Sequence, residues 1–514
     1  MAESLFLLYF LACASLNSAV KLPLQGNLQD NSEGRRWKRS TNVEITGRPE
    51  QGYFTDIFLG SPAQRFSVVV DTGSSNFAVA GSSDVGIDRF FNSKQSTTFK
   101  GKPDDKINVR YFNGSWDGYF ARDSFKFCQT CDTGTVDVAL ITSSSNFFVS
   151  PSVWQGILGL GYKKLVQPEP DAADTVLDSL ADQRIYNQIF SLELCGRENQ
   201  STTHLNGVLE LEPPVRDEDG YTYTDVVKEW YYQIELTGLA VDNVHVVDDC
   251  YELNKPQAII DSGTTNMLLP TVVYWNVLAK IETFSYKAAN LSSGSGENGL
   301  TRDELKDFIL RADSLCKEDL QTSIFSWFPE IVVQIAFNTT HNFSINVPPQ
   351  QYIRQTMDTI NKQGKMSEKT RCYMFGIQKS EAGTILGAAF LEQLTVLHDR
   401  VANKVGFKVS DSCRVKDPVF TKTVSALGLR GDQGCLAAPR SVLPTAALAV
   451  TLALIALTLG AILCWWYQEA LKARLAALCL RFRRTQNYTY MLNSEDEESS
   501  LQMELDEIRT DQVE

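Results

Sequence analysis

Short apolar runs punctuate the chain from residue 40 to about residue 410. Phe66–Val70, Val136–Ile141, Tyr231–Leu236, Ile331–Ile335 and Leu394–His398 are five or six residues long, and clusters of Gly, Asn, Asp and Ser separate them. Runs of that length between turn formers predict β-strands. Helical spacing is confined to short stretches such as Ala172–Ile185 and Thr271–Ile281, so the expected fold class is mostly β.

Two longer apolar stretches stand outside this pattern. Leu5–Leu16 is followed by the small residues Asn17-Ser18-Ala19, which predicts a signal peptide over 1–19 with cleavage after Ala19 or, alternatively, Ala14. Glu3 departs from the usual basic start. Near the other end, Ser441–Gln468 contains no charged residue, and Trp465, Trp466 and Tyr467 close it. About 20 apolar residues cross a bilayer, so 441–468 is the expected transmembrane helix. Lys472, Arg474, Arg481, Arg483 and Arg484 follow, which places the tail 469–514 in the cytosol and makes this a type I membrane protein. Arg36-Trp37-Lys38-Arg39 fits a proprotein-convertase site, with cleavage after Arg39 removing a pro-segment over 20–39. The folded ectodomain is expected over 40–440.

Eight cysteines lie between the expected signal peptide and the span: Cys128, Cys131, Cys195, Cys250, Cys316, Cys372, Cys413 and Cys435. An even number in an oxidising compartment suits disulfides, and spacing alone leaves 105 connectivities open. Cys128-Gln-Thr-Cys131 reads as a local structural bridge, because no second pair or His cluster completes a zinc site. Cys464 and Cys479 are candidates for palmitoylation or are inert thiols.

One motif occurs twice. Val68-Val-Val-Asp71-Thr-Gly-Ser-Ser-Asn76 is answered 190 residues later by Ala258-Ile-Ile-Asp261-Ser-Gly-Thr-Thr-Asn266. An apolar-apolar-Gly element follows each copy, Ile157-Leu158-Gly159 and Ile385-Leu386-Gly387. The repeat predicts two similar lobes, about 40–190 and 191–440, each placing one Asp at their junction. Facing carboxylates cannot both ionise readily, so such a pair shares one proton. The ionised member takes a proton from an attacking water while the protonated one polarises a peptide carbonyl. Ser74 and Thr264 are placed to hydrogen-bond the outer carboxylate oxygens, and Thr72 and Ser262 to tie the turns together. Gly73 and Gly263 are expected to permit tight turns.

On these residues the chain resembles the pepsin-like aspartic proteases over Glu44–Val409. It is more narrowly similar to the membrane-anchored β-secretase branch. That match rests on Asp71–Val79, Trp154-Gln-Gly-Ile-Leu-Gly-Leu160, Glu229-Trp-Tyr-Tyr232, Asp261–Asn266, Pro348-Pro-Gln-Gln-Tyr352, Asp399-Arg400 and Val405-Gly-Phe407. The resemblance implies a bilobal β fold with a central cleft and a β-hairpin flap. It implies Asp71 and Asp261 as the catalytic pair, Tyr111 as the flap tyrosine beside Phe112, and Trp116 as the aromatic residue that anchors it. It also implies the disulfides Cys195–Cys413, Cys250–Cys435 and Cys316–Cys372.

The sequence departs from that branch in two places. Leu268 stands where vertebrate β-secretases carry an Arg lining the cleft, which implies a more apolar substrate preference. Asn113-Gly-Ser115 is a glycosylation sequon at the expected flap tip, so a glycan there would stand over the cleft. Asn199, Asn290, Asn338 and Asn342 are further acceptor candidates. Asn487 also heads a sequon, on the cytosolic side.

Charge changes the picture least. The net charge is −14, and residues 485–514 hold nine acidic residues against one basic, or −8, which leaves −6 for the other 484. No basic stripe supports nucleic-acid binding. His204, His245, His341 and His398 are scattered and read as surface or strand residues, and no metal or cofactor set is expected. Tyr488-Thr-Tyr-Met491 fits a tyrosine sorting signal, and Glu495–Ser500 a phosphorylation site or a solvated charge run. The expected activity is a membrane-tethered aspartic endopeptidase acting on membrane-protein ectodomains in the secretory pathway, Golgi, endosome or cell surface. The alternatives are a broad-range protease of acidic compartments and a catalytically silent binding receptor on the same fold.

Overall fold

The computed structural model describes residues 40–48, 52–111, 114–148, 152–197, 205–214, 219–289, 301–311, 313–318, 322–355, 370–413, 422–429, 435–436, 454–481 and 483. The expected signal peptide, pro-segment and convertase site, together with Phe112, Asn113, Asn199, His204, Asn290, Asn487 and the Tyr488–Met491 signal, lie outside the described residues.

The repeated motif folds twice in the same way. Gln64–Asp71 runs into the first Asp turn, parallel to Gly156–Gly159, with Val70 opposite Leu158 and Asp71 opposite Gly159. Phe77–Ala80 leaves the turn antiparallel to that partner strand. In the second half Ala258–Ile260 lies parallel to Thr384–Leu386, with Ile260 opposite Leu386. Met267–Pro270 then leaves antiparallel to the same strand. Val68, Val70, Ala258 and Ile260 are all fully buried. Both faces of these strands are covered, which is why they read as continuous apolar runs instead of alternating ones.

A six-strand antiparallel run joins the halves. Its order is Thr41–Arg48, Leu205–Leu211, Ile189–Arg197, Leu394–Asp399, Lys404–Val409 and Thr222–Asp225. Three strands come from each half, and the seam is the pairing of Leu394 with Leu194 through Asp399 with Ile189. The lobe boundary expected at about 190 falls within the strand Ile189–Arg197, and Leu205–Leu211, beyond it, pairs with Thr41–Arg48.

A long hairpin, Lys100–Tyr111 and Gly114–Lys126, rises from the first lobe with Tyr111 opposite Gly114. Helices are few. Within Ala172–Ile185 only Val176–Asp182 is helical, started by Thr175, whose Oγ1 accepts from Asp178 N at 3.1 Å. Thr271–Ala288 is longer than expected, and Arg302–Arg311 has no counterpart in the sequence reading. Tyr231–Leu236 divides into Tyr232–Gln233 and Leu236–Val241. Disulfides join Cys128–Cys131, Cys195–Cys413, Cys250–Cys435 and Cys316–Cys372.

Residues 438–514 form a separate unit. Its helix Leu454–Arg481 is long and apolar enough to cross a membrane. It continues past Gln468, where the apolar stretch ends, through a Lys472–Glu469 pair at 2.9 Å and an Ala/Leu-rich run that favours helix. Cys464 and Cys479 are unpaired and exposed on it.

Candidate active site

The two Asp turns meet face to face. Thr72 N donates to Ser262 Oγ at 3.1 Å, and Ser262 N donates to Thr72 Oγ1 at 2.9 Å. The same hydroxyls donate onward into the opposite strand, Thr72 Oγ1 to Ile260 O at 3.1 Å and Ser262 Oγ to Val70 O at 2.8 Å. All four bonds are buried, where a partner lost is costly, so the interlock fixes both turns against each other.

Each carboxylate is held by its own turn. Gly73 N donates to Asp71 Oδ1 at 2.8 Å, and Ser74 Oγ donates to Asp71 Oδ2 at 2.5 Å. Gly263 N donates to Asp261 Oδ1 at 2.8 Å, and Thr264 Oγ1 to Asp261 Oδ2 at 2.6 Å. The two glycines are required for a reason the sequence did not reveal. Neither has a positive φ, but a Cβ on Gly73 would lie 2.4 Å from Asp261 Cγ, and one on Gly263 2.3 Å from Asp71 Oδ1. Each glycine makes room for the other lobe's carboxylate.

Asp71 and Asp261 are 6% and 8% exposed. Burial, and then the facing charge of Asp261, hold the Asp71 carboxyl well above the usual carboxylate range, against the opposing pull of its Ser74 and Gly73 hydrogen bonds. The pair thus keeps a proton at pH values where a free aspartic acid has lost it. A charged and a protonated carboxyl side by side can activate water and polarise a carbonyl.

Tyr111 stands over the pair on the hairpin. Burial and the charge of Asp71 raise its hydroxyl pKa, and Trp116 and Ser74 are its polar neighbours. The Tyr111 hydroxyl and the Trp116 indole N–H are both buried, and neither closes a hydrogen bond of normal geometry. The Tyr111 ring stacks on Phe147 at 5.5 Å, and Phe147 and Phe148 pack on Trp154. Leu268 lies in its strand opposite Ile385 and Gln378, 8% exposed. Asn338 is exposed and accepts from Thr340 N and His341 N, both at 2.8 Å. Asn342 is half-buried, and its Nδ2 donates to Thr237 Oγ1 at 3.3 Å. His398 is a strand residue stacked on Phe190 at 4.6 Å, and burial pushes its pKa down to about 3.

Sequence reasoning missed two contributors. Tyr231 feels the charges of both Asp261 and Asp71, which with burial raise its pKa; the Trp-Tyr-Tyr run carried no chemical signal of its own. Gln167 links the first turn to the hairpin. Its N–H donates to Asn76 Oδ1 at 2.9 Å, and its Nε2 donates to Arg110 O at 3.1 Å, while Arg110 N donates to Gln167 Oε1 at 3.2 Å. No short-range pattern connects residues 76, 110 and 167.

The profile described as eukaryotic aspartyl protease matches residues 52–409. Among known proteins, Beta-secretase of Strongylocentrotus purpuratus is 31% identical over 384 residues, covering 71% of this chain and 67% of that one. Pepsin A of Bos taurus is 24% identical over 425 residues, covering 76% and 98%, and Pepsin A of Sus scrofa 27% over 369 residues, covering 69% and 80%. With that family matched across both lobes and both Asp turns, the chain belongs to the eukaryotic aspartyl proteases and is an aspartic endopeptidase.

Proposed function

We propose that this endopeptidase is held in a membrane and cuts the ectodomains of other membrane proteins, with Asp71 and Asp261 as its catalytic pair. The observation that carries the tethering is a helix of 28 residues, Leu454–Arg481, with the composition of a membrane span on the same chain as the two Asp turns. Similarity to a beta-secretase supports the reading. Tethering raises the effective concentration of substrates in the same membrane.

The pair shares one proton, so one carboxyl is the acid and the other the base. The base takes a proton from water as the hydroxide attacks the carbonyl carbon, and the acid gives its proton to the carbonyl oxygen, forming a diol. The carboxyl that took the proton from water then protonates the amide nitrogen, the C–N bond breaks, and the other carboxyl recovers a proton from a diol hydroxyl as the new carboxyl forms. One water is consumed and the pair ends with the single proton it began with. Tyr111 covers the reacting atoms, and Leu268 contributes an uncharged side chain in place of a basic one.

The test reconstitutes the full chain in vesicles with a type I membrane substrate and compares it with Asp71→Asn and Asp261→Asn variants across pH ~3–7. Release of a defined ectodomain by wild type alone is expected. Indiscriminate degradation of denatured soluble protein, with no preference for the anchored substrate, would overturn the reading. In a peptide library, a strict demand for an acidic residue beside the cut bond would overturn the apolar preference tied to Leu268.

A further inference from the structure

Two glycosylation sequons stand four residues apart in the second half of the chain. Asn338-Thr339-Thr340 and Asn342-Phe343-Ser344 are equivalent as sequence, since each places a hydroxyl two residues after its asparagine. The fold sets them in opposite surroundings. Ile331–Ala336 and His341–Val347 form a hairpin, with Ala336 opposite Asn342. The first sequon lies in the connecting turn, and the second lies wholly within the return strand. Residues 338–340 are all exposed, whereas Asn342 is half-buried.

The Asn338 side chain builds the turn through its oxygen. Oδ1 accepts from Thr340 N and His341 N, both at 2.8 Å, and from Thr340 Oγ1 at 3.0 Å. This is an Asx turn, in which a side-chain oxygen stands in for a backbone carbonyl. A sugar is joined through Nδ2 and leaves Oδ1 in place, so all three bonds survive glycosylation. Asn342 is held the other way. It pairs with Ala336 on one side and Gly428 on the other. Its Nδ2, the atom a sugar needs, donates to Thr237 Oγ1 at 3.3 Å, two strands away in the sheet. Its Oδ1 sits where a Cβ on Gly428 would come within 3.3 Å. A sugar on Asn342 Nδ2 would have to displace these neighbours, so the folded sheet selects against it.

We propose that the folded protein carries an N-linked glycan on Asn338 and none on Asn342. The donor is a lipid-linked oligosaccharide diphosphate. Nδ2 of Asn338 bonds to the anomeric carbon of the first sugar, and the bond from that carbon to the diphosphate oxygen breaks. Nδ2 gives up one proton, the lipid diphosphate leaves, and nothing is oxidised or reduced. The proposal rests on the membrane-anchored reading, which passes this part of the chain through the secretory compartment where such donors are found. It adds to that reading a choice between two sequons that the sequence alone leaves equal.

The test uses the full chain, made in a eukaryotic secretory host and purified as folded, active enzyme. Peptide N-glycosidase in heavy-oxygen water turns each glycosylated Asn into a labelled Asp, and fragment-ion mass spectrometry assigns the label to its residue. Label is expected to be about tenfold or more higher at 338 than at 342. Equal label at the two positions overturns the proposal. So does an unlabelled Asn338 in a chain labelled at another sequon, such as Asn199 or Asn290. A chain with no label at any sequon would sink the secretory reading itself, and the proposal with it. A second arm uses the hydroxyls. Thr340→Ala deletes the first sequon and keeps Asn338 with its two backbone bonds, so it should remove the mass of one glycan. Ser344→Ala deletes the second and should remove none. Lost glycan mass with Ser344→Ala, or none lost with Thr340→Ala, overturns the proposal.

Discussion

Asn76 and Asn266 end the two Asp turns at matching positions, and they face different surroundings. Asn76 Nδ2 donates to Gln167 O at 2.9 Å and its Oδ1 accepts from Gln167 N at 2.9 Å, and Gln167 in turn grips Arg110 on the hairpin. Asn266 serves through its backbone, its carbonyl oxygen packing where a Cβ on Gly387 would come within 2.2 Å. Nearer the carboxylates the turns are near copies, down to the 2.8 Å bonds from Gly73 and Gly263. The copied part is the part that touches across the junction. The uncopied part couples the first turn to the long hairpin Lys100–Tyr111 and Gly114–Lys126.

The largest effect tests the copied part. Asp71→Asn and Asp261→Asn are each expected to lower kcat by about a thousandfold or more, because neither carboxyl can hold both proton roles. Stopped turnover assays with matched substrate measure it. One variant keeping a tenth of wild-type activity would break the symmetry between the turns.

Next come the glycines. Gly73→Ala and Gly263→Ala each push a methyl into the other lobe's carboxylate. Displacement of a reacting group by about 1 Å costs on the order of a hundredfold in rate, so both variants should lose about that much. The sharper readout is a double-mutant cycle: Gly73→Ala should be nearly silent in an Asp261→Ala background, where the methyl has room. Full additivity would show that the glycines act through their own turns instead.

The repeat made this much legible from residues alone. The hydrogen bonds of Ser74 and Thr264 to Asp71 and Asp261, and those between Thr72 and Ser262, follow from spacing, because each lies within three residues of an Asp or across a junction the repeat implies. What stayed hidden depends on distant partners. Gly73 and Gly263 looked like turn glycines because the carboxylates that exclude a side chain, Asp261 and Asp71, are 188 and 192 residues away. Gln167 and Tyr231 reach the site only through the tertiary fold. The pairing of Leu205–Leu211 with Thr41–Arg48, across the boundary expected at about 190, is likewise one that no local pattern records.

A smaller effect probes the uncopied part. Gln167→Ala removes the link between the first turn and the hairpin. The loss of bonds worth about 1 kcal/mol corresponds to roughly a fivefold change, expected as a rise in KM with kcat nearly unchanged, since the hairpin positions substrate while the pair stays intact. Steady-state kinetics with a peptide substrate separate the two. A fall in kcat at constant KM would show that Gln167 supports the carboxylates themselves.

The smallest effect is on stability, and its sign follows from the proton the pair retains. Asp71 is raised in the folded protein, so above the free-aspartate pKa of about 3.9 the unfolded chain has released a proton that the folded one still binds. Wild-type stability therefore falls as pH rises through that window and stops falling once Asp71 ionises in the fold. Asp71→Asn lacks this loss. Its melting temperature relative to wild type should climb between pH 4 and 7, by about a degree or more, whatever constant offset the substitution brings. Asp261→Asn should flatten the same slope without abolishing it, because burial, the leading cause of the shift, remains when the facing charge is gone. Calorimetry at several pH values reads both. If Asp261→Asn erased the slope completely, the proton would be held by the charge across the junction alone, and the buried first turn would contribute nothing to it.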